Sequence, residues 1–220
     1  MANLTQLRML EDLDGVVLVD KPVGIAFSTV VKTVKRKFNL VKVGHGGSLD
    51  AMASGLLVLL VGDANKHVDR VMGADRSYTG TLRLGATTDT GDIHGRPTPL
   101  PGHVADPSEF RGDVFQTEPR FCSVRKEGTG DYEIADTGDH KQFLTHVYSF
   151  KLDGAAFTLV AAKNLIVRAL ANDMGATLET LRRTKVGPFA VEDAIPFERL
   201  LETEPKDFPS CVKPVSSVWR

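Results

Sequence analysis

The 220-residue sequence predicts a soluble α+β domain. Strand-like and helix-like segments alternate irregularly, and some strands pair as hairpins, which fits α+β better than a doubly wound parallel sheet. Hydrophobic residues make up 42% of the chain and charged residues 25%. This composition is ordinary for a globular protein that is long enough for one sizeable core. The longest apolar run, residues 56–61, is too short to cross a membrane.

The first elements follow from apolar periodicity and turn residues. Residues 16–19 predict a short buried strand that ends in a turn at residues 20–22. Ser28 is predicted to be the N-cap of a helix that runs to about Phe38. Apolar residues recur on one face of this helix, so its other faces present basic side chains outward: Lys35, Arg36 and Lys37.

Later elements follow from the same patterns. Residues 77–85 alternate with period two and predict a strand. Residues 157–162 follow a turn at Gly154 and predict a hairpin with residues 143–152. The residues predicted to share a face of that first hairpin strand are Leu144, His146, Tyr148, Phe150 and Leu152. Residues 164–175 predict a helix closed by Gly175. Between residues 96 and 139 the periodicity is weak, which is typical of a functional loop or insertion.

Two basic groups stand out in a chain with a formal net charge of only −1. Residues 32–42 contain five basic residues and no acid, and Arg182, Arg183 and Lys185 form a smaller group. Such groups are either a local phosphate-binding surface or a solvated face, and the sequence leaves both interpretations open. We take as a hypothesis that the run 32–42 or the Arg182/Arg183 pair contacts phosphates.

Several kinds of functional site are excluded. The glycine-rich stretch GHGGSLDAMASG lacks the third glycine of a dinucleotide fingerprint, the lysine of a P-loop and the last glycine of a nucleophile elbow. Cys122 and Cys211 lie far apart and are interpreted as reduced thiols. The only candidate metal cluster, in TDTGDIHG, is interpreted as a polar turn; its residues are Asp89, Asp92 and His94.

Asp50 is the only acid in this glycine-rich stretch, and it has two interpretations. It is either a helix N-cap or turn residue ahead of AMASG, or a carboxylate nucleophile beside an apolar wall. In the second case the amides of Gly46 and Gly47 lie nearby. A carboxylate at a burial boundary needs a charged or hydrogen-bonding partner to stay ionised, and Arg168 is the natural candidate.

Four blocks of the sequence resemble, in order, the motifs of the TruB family of tRNA pseudouridine synthases. They are GVVLVDKPVGIAFS, KVGHGGSLDAMASGLLVLLVGDANK, SYTGTLRLGATTDTGDIHG and LRRTKVGPF. The resemblance implies a pseudouridine synthase fold, with a mixed, largely antiparallel sheet flanked by helices and loops. It implies isomerisation of uridine in RNA by base flipping, aspartate-dependent cleavage of the glycosidic bond and re-formation of the bond at C5. It implies no cofactor and no metal.

The resemblance also assigns roles to single residues. Asp50 matches the catalytic aspartate, Tyr78 the active-site tyrosine that stacks on the flipped base, and Arg168 the arginine that pairs with the aspartate. Residues expected to bind the substrate are His45, which helps to extrude the base, Leu181 in an apolar pocket, Lys21 on the floor of the site, Lys163 and Ile166. The family usually has an aromatic residue where this chain has Ile166, which alters one pocket wall.

The resemblance further implies a domain plan and partners. Residues 1–195 are expected to form the catalytic domain, with an RNA-gripping insertion at about 97–141. Residues 196–220 are expected to be a short tail without a separate RNA-binding domain. The expected partner is the T-arm of tRNA, with the T-loop uridine at position 55 as target. The protein is expected to be a cytoplasmic monomer without an obligatory protein partner, since the N-terminus has no secretory signal.

Two alternatives remain at this point. One is the same chemistry on another uridine or another RNA. The other is an RNA-binding or folding-helper protein that has kept the scaffold and lost efficient catalysis. The joint presence of Asp50, Tyr78 and Arg168 favours catalysis over the helper interpretation.

Overall fold

The protein is described by a computed structural model, which covers residues 13–100, 104–119, 121–125, 132–136 and 141–218. Only the backbone is described for residues 121–125 and 132–136, so the side chain of Cys122 lies outside the described part. Residues 1–12, for which the sequence predicts no secretory signal, also lie outside it. The chain divides into two compact units. The first combines residues 1–74 with residues 183–220, and the second is formed by residues 75–182.

The first unit begins with strands that bury almost every side chain. Its elements before residue 75 are β1 (Gly15–Lys21), α1 (Phe27–Lys37), β2 (Val43–His45), β3 (Ser54–Val61), a 3-10 helix (Gly62–His67) and α2 (Val68–Met72). β1 pairs antiparallel with β3, from Gly15 opposite Val61 to Lys21 opposite Gly55. Both strands pack into an apolar cluster with Val71 and Phe189. This cluster forms the core beneath the Asp50 loop.

The second unit is built on an antiparallel sheet in the order β12–β4–β11–β10–β7. Its elements are β4 (Arg76–Leu84), β5 (Ala86–Thr88), β6 (Pro97–Pro99), a 3-10 helix (Pro107–Phe110), β7 (Gly112–Thr117), β8 (Phe121–Arg125), β9 (Tyr132–Asp136), β10 (Gln142–Asp153), β11 (Ala156–Ala161), α3 (Val167–Asp173) and β12 (Ala176–Val186). β12 runs across the boundary, because its last residues from Arg183 onward belong to the first unit. β8 and β9 pair as a separate hairpin between β7 and β10.

The C-terminal segment completes the first unit. Its elements are β13 (Phe189–Ala190), a 3-10 helix (Val191–Asp193), β14 (Ile195–Pro196), α4 (Phe197–Glu202), a 3-10 helix (Pro205–Cys211) and α5 (Val215–Val218). The Phe208 ring is buried and stacks on the Phe38 ring with 3.8 Å between centroids. Val16 and Lys213 exchange two backbone hydrogen bonds of 2.8 Å. Phe208 and Lys213 of the segment 196–218 therefore pack against α1 and β1 of the first unit.

The α+β prediction is confirmed, and several details of it are wrong. The first helix begins at Phe27, and the residue at its N-cap is Ala26, which makes no side-chain cap bond; Ser28 lies inside the first turn. The first strand extends beyond residue 19 through Lys21, because the chain turns only after Pro22.

The third error concerns which side chains of β10 share a face. The pairing of β10 with β11 shifts register between Val147 and Ser149, at a β-bulge. A bulge adds one residue and reverses the alternation beyond it. Leu144 and Tyr148 are therefore exposed, whereas Phe150 is buried, although period two places all three on one face.

Other predictions are confirmed. α3 ends at Asp173, and Gly175 closes it as predicted, with a φ of +81° in the left-handed conformation that glycine adopts readily. The helix begins at Val167, however, and residues 164–166 of the predicted helix belong to the loop before it. The TDTGDIHG segment is a polar turn: Asp92 Oδ1 accepts hydrogen bonds from Thr90 Oγ1 and His94 N, and Asp89 Oδ1 accepts one from Arg96 N. Within the described ranges, no helix combines the length and the apolar character that crossing a membrane requires.

Candidate active site

Asp50 lies in a turn directly before a buried strand. The Ala53 N–H donates to Asp50 O at 3.0 Å, and β3 begins at Ser54. Because a strand rather than a helix follows the turn, Asp50 is a turn residue and not a helix N-cap; its role as a nucleophile stays a prediction. The carboxylate is half-buried at the edge of the apolar core. Such a position gives it access to a ligand and strengthens its interactions with nearby charges.

The loop that leads to Asp50 is held by one buried cation, Arg183. Its guanidinium is 1% exposed and donates to three carbonyl oxygens: Leu56 O at 2.8 Å, Ser48 O at 2.7 Å and Gly47 O at 3.2 Å. Only arginine has donors arranged to satisfy three separate acceptors from one fixed plane. The loop backbone two residues before Asp50 is therefore fixed to strand β12.

Arg183 corrects the hypothesis that both arginines of the Arg182/Arg183 pair contact phosphates. Its buried guanidinium donates hydrogen bonds to the backbone of the Asp50 loop and not to a phosphate on the surface. Sequence reasoning missed this role, although one signal was present. Leu181 and Arg183 lie on the same face of a period-two strand, and Leu181 is buried.

Close packing explains two glycines, Gly46 in the loop and Gly55 at the start of β3. A Cβ at Gly46 would lie 2.1 Å from Val71 Cγ1, and a Cβ at Gly55 would lie 2.3 Å from Arg183 O. Gly55 also has a φ of +104°, which other residues rarely adopt. The Gly46 N–H donates to Val58 O at 2.8 Å. Glycine is needed here because the loop lies directly on its neighbours.

Lys21 brings a second buried cation to the same loop. Its ammonium is fully buried and donates to Pro22 O and Ile25 O, both at 2.8 Å. Burial lowers the pKa of Lys21 from 10.5 to about 8, the negative charge of Asp50 opposes this change, and the positive charge of Arg183 adds to it. The Gly24 N–H also donates to Ala51 O at 2.7 Å. The structure thus brings Lys21 and Asp50 together.

His45 lies at the start of the same loop. Its ring packs against Phe27 with 4.9 Å between centroids. Its Nδ1 accepts a hydrogen bond from the Gly47 N–H at 3.3 Å, so in the neutral ring Nε2 carries the proton. The ring is half-buried and its orientation is set from both sides.

Tyr78 and Arg168 belong to the second unit. Tyr78 lies on β4 opposite Leu159 and is buried. Arg168 is in the first turn of α3, and its Nη1 donates to Thr90 O at 2.7 Å. A Cβ at Gly91 would lie 2.8 Å from Arg168 O, so the loop after β5 packs directly on this helix.

The remaining predicted residues also lie in the second unit. Ile166 is the N-cap residue of α3 and is half-buried, Lys163 is exposed in the loop before it, and Leu181 is buried on β12. The pairing of Asp50 with Arg168 stays a prediction. Among the residues that the structure describes, no group of three or more histidine, cysteine, aspartate or glutamate side chains could hold a metal.

Comparison with known proteins identifies a family. Residues 35–158 match the model of the TruB family pseudouridylate synthase, N-terminal domain. The chain is similar to tRNA pseudouridine synthase B of Aromatoleum aromaticum, with 35% identity over 204 residues that cover 83% of this chain and 66% of that protein. It is 33% identical to tRNA pseudouridine synthase B of Bordetella avium over 225 residues, which cover 90% of this chain and 92% of that one.

Solved structures share the fold. A Cbf5–Nop10–Gar1 complex contains a chain that matches with a TM-score of 0.66 and 24% identity, covering 94% of this chain and 62% of that chain. A pseudouridylate synthase matches with a TM-score of 0.51 and 14% identity, covering 86% of this chain and 73% of that chain. The present chain thus spans slightly less than two thirds of the Aromatoleum relative and of the matched chain in the Cbf5–Nop10–Gar1 complex.

Proposed function

The chain belongs to the TruB family of pseudouridylate synthases, and we propose that it isomerises uridine to pseudouridine in tRNA. The proposed target is the T-loop uridine at position 55. The observation that carries the proposal is the family match over residues 35–158, which includes Asp50 on its fixed turn and Tyr78. The relatives at 33% and 35% identity that bear the name tRNA pseudouridine synthase B support the choice of RNA.

The reaction is an isomerisation and needs no external reactant. The N1–C1′ bond of uridine breaks, the base turns, a C5–C1′ bond forms, and the proton lost from C5 is balanced by one gained at N1. A base inside a folded RNA loop must first leave its stack, and an aromatic ring stabilises it in the flipped state. We assign this stacking role to Tyr78 and the extrusion of the base to His45.

Asp50 acts at the ribose during cleavage, and its surroundings suit a carboxylate that must stay ionised. The cation of Lys21 lies nearby, and Arg183 holds the preceding backbone. Arg168 is proposed to pair with the carboxylate, because an arginine–carboxylate pair both favours the charged form and fixes its direction. Leu181, Ile166 and Lys163 are proposed to surround the bound uridine.

The wider assignment follows the same proposal. Residues 1–195 form the catalytic domain, with the RNA-gripping insertion at about 97–141 holding the T-arm. The protein acts in the cytoplasm as a monomer without an obligatory protein partner. No metal or cofactor has a step in this chemistry.

The test is tritium release from an unmodified tRNA transcript that carries 5-tritiated uridine. We expect release by the wild type and none by Asp50→Asn, while Asp153→Asn, an exposed aspartate at the end of β10, keeps the wild-type rate. Equal release by the wild type and Asp50→Asn would remove Asp50 from the mechanism. A wild type that binds the tRNA without releasing tritium would support the RNA-binding helper instead.

A further inference from the structure

Gln116 is a buried polar side chain to which the proposed reaction gives no role. It lies on β7 and is 1% exposed, whereas its neighbour Phe115 points to the other face and is 73% exposed. A primary amide that is removed from water needs both donor and acceptor partners. Gln116 finds both on a single residue of another segment.

That residue is Ile166. The Ile166 N–H donates to Gln116 Oε1 at 2.9 Å, and Gln116 Nε2 donates to Ile166 O at 3.1 Å. A backbone N–H only donates and a carbonyl only accepts, so the backbone fixes the orientation of the amide. The side chain thus reproduces the two bonds that a neighbouring strand would make.

Ile166 is the residue from which α3 begins. It is the N-cap of the helix and makes no side-chain cap bond of its own, and its carbonyl also accepts the Leu170 N–H at 3.1 Å. Arg168 follows two residues later. The position of Ile166 therefore sets where the first turn of the helix, and with it the base of the Arg168 side chain, lies.

A second amide fastens the same loop to β10, the strand paired with β7. Asn164 Nδ2 donates to Leu144 O at 2.9 Å, and Asn164 Oδ1 accepts from Thr145 Oγ1 at 2.9 Å. β7 lies within the insertion expected at about 97–141 and β10 directly follows it, so this strand pair forms the base of the insertion. The Glu118 N–H still donates to Lys141 O at 3.0 Å. The loop before α3 is thus attached to the base of the insertion.

We propose that Gln116 is a positioning residue for Arg168, because it joins the strand pair at the base of the insertion to the residue that starts the arginine-bearing helix. The inference rests on the proposed function, since it assumes that Arg168 serves uridine isomerisation. Gln116 is buried with both polar groups bonded to Ile166, so we assign it a positioning role rather than a catalytic one.

The first test replaces the amide by a side chain of similar size. Gln116→Met removes both hydrogen bonds, and Gln142→Met makes the same change at an exposed position of β10. We expect Gln116→Met to lower the single-turnover rate on an unmodified tRNA transcript at least tenfold, with tRNA Kd within twofold and Gln142→Met unchanged. Equal losses in rate and affinity, or no loss in rate, would overturn the proposal.

The second test uses pH and also serves if Gln116→Met does not fold. Gln116→Glu keeps the acceptor for Ile166 N, but its carboxylate faces Ile166 O until the carboxyl is protonated and can donate. The rate of Gln116→Glu relative to wild type should therefore rise several-fold as pH falls from about 8 to about 6. A ratio that is flat with pH contradicts the paired hydrogen bonds.

A third readout separates this inference from the proposed function. Hydrogen exchange of the amides in α3 should quicken in Gln116→Met and stay unchanged in Gln142→Met, whether or not the protein forms pseudouridine. Failure of the wild type to release tritium defeats the proposed function. Unchanged exchange in α3 together with an unchanged rate defeats the inference alone.

Discussion

Arg183 shows how a single charged residue is used within the core of the first unit. A buried guanidinium is unfavourable unless its N–H groups find acceptors, and three loop and strand carbonyls supply them. The loop carbonyls of Gly47 and Ser48, which lie outside a strand, thereby gain a hydrogen-bond donor. The stability of the unit and the geometry of the Asp50 loop therefore depend on the same side chain.

We predict that Arg183→Lys keeps the charge but loses this geometry. A lysine ammonium is a point charge that cannot reach three separated carbonyls in one plane. The variant should be destabilised by about 2 kcal/mol, in keeping with lost buried hydrogen bonds, and should lower the single-turnover rate at least tenfold. Denaturant unfolding and tritium release measure the two effects. Arg199→Lys, an exposed change on α4, is the control, and equal behaviour of the two variants would contradict the role of Arg183.

The lowered pKa of Lys21 predicts that the free energy of unfolding depends on pH. In the folded protein its pKa is about 8, against 10.5 as the ordinary value. Between these two pH values the unfolded chain binds more protons than the folded one, so stability rises with pH. The charged form lowers stability by on the order of 3 kcal/mol below about pH 8, and this loss disappears as pH approaches 10.5.

The measurement compares wild type with Lys21→Met between pH 7 and pH 10.5. We expect the free energy of unfolding of the wild type to rise relative to that of the variant across this range. Other titrating groups are common to both proteins and cancel in the difference. Lys151→Met makes the same substitution at an exposed position of β10 and is the control. Two parallel curves for wild type and Lys21→Met would contradict the lowered pKa.

At the scale of elements, α1 is the clearest candidate for contact with the RNA backbone. Its Val30 and Val34 are buried, and Lys35 and Arg36 are exposed on the opposite side, as the periodicity predicts. No acid occurs in residues 32–42. An exposed basic surface without acids attracts phosphates and releases counterions when it binds them.

We predict that the double variant Lys35→Gln with Arg36→Gln weakens tRNA binding without changing the single-turnover rate at saturating tRNA. The slope of log Kd against log salt should become shallower by roughly 0.7 to 0.9 for each lost phosphate contact. Lys151→Gln with Lys206→Gln, an exposed pair elsewhere, is the matched control. Unchanged affinity and slope would leave α1 as a solvated face.

The elements also show what periodicity can and cannot predict. α1 and α3 were predictable because local signals, an apolar stripe and a closing Gly175, define a helix without reference to the rest of the chain. The face of each β10 side chain was not predictable, because the bulge after Val147 depends on the partner strand. The start of the first helix at Phe27 likewise depends on tertiary packing rather than on Ser28.

For the whole molecule, motifs predicted Asp50, Tyr78 and Arg168 as site residues, since these residues carry family patterns that can be read along the chain. The residues that hold these segments in place, Arg183 and Gln116, could not be predicted in this way. Arg183 reaches carbonyls more than a hundred positions away, and Gln116 holds a residue fifty positions later. Such partners are defined only when distant segments fold together. The alternation that places Arg183 on the same strand face as Leu181 indicates burial but does not identify the carbonyls that Arg183 binds.

The role of the C-terminal segment, residues 196–218, could not be predicted from motifs either, because the family motifs end before this segment begins. Phe208 is fully buried against Phe38, and Lys213 pairs with Val16 of the first strand. Truncating a buried phenylalanine to alanine typically costs about 3–5 kcal/mol, through lost transfer energy and the cavity that remains. Phe208→Ala should therefore destabilise the first unit by this amount, although Phe208 lies far along the chain from Asp50.

The prediction is checked by denaturant unfolding together with hydrogen exchange. Amides of β1 and β3 should exchange faster in Phe208→Ala, and tritium release should fall at temperatures near the lowered Tm while staying close to wild type well below it. Phe115→Ala removes the same ring from an exposed position and should change stability by less than about 0.5 kcal/mol. If the two variants were equally stable, residues 196–218 would be a tail that merely rests on the first unit. A loss confined to Phe208→Ala means that the segment is part of the folded core of the first unit.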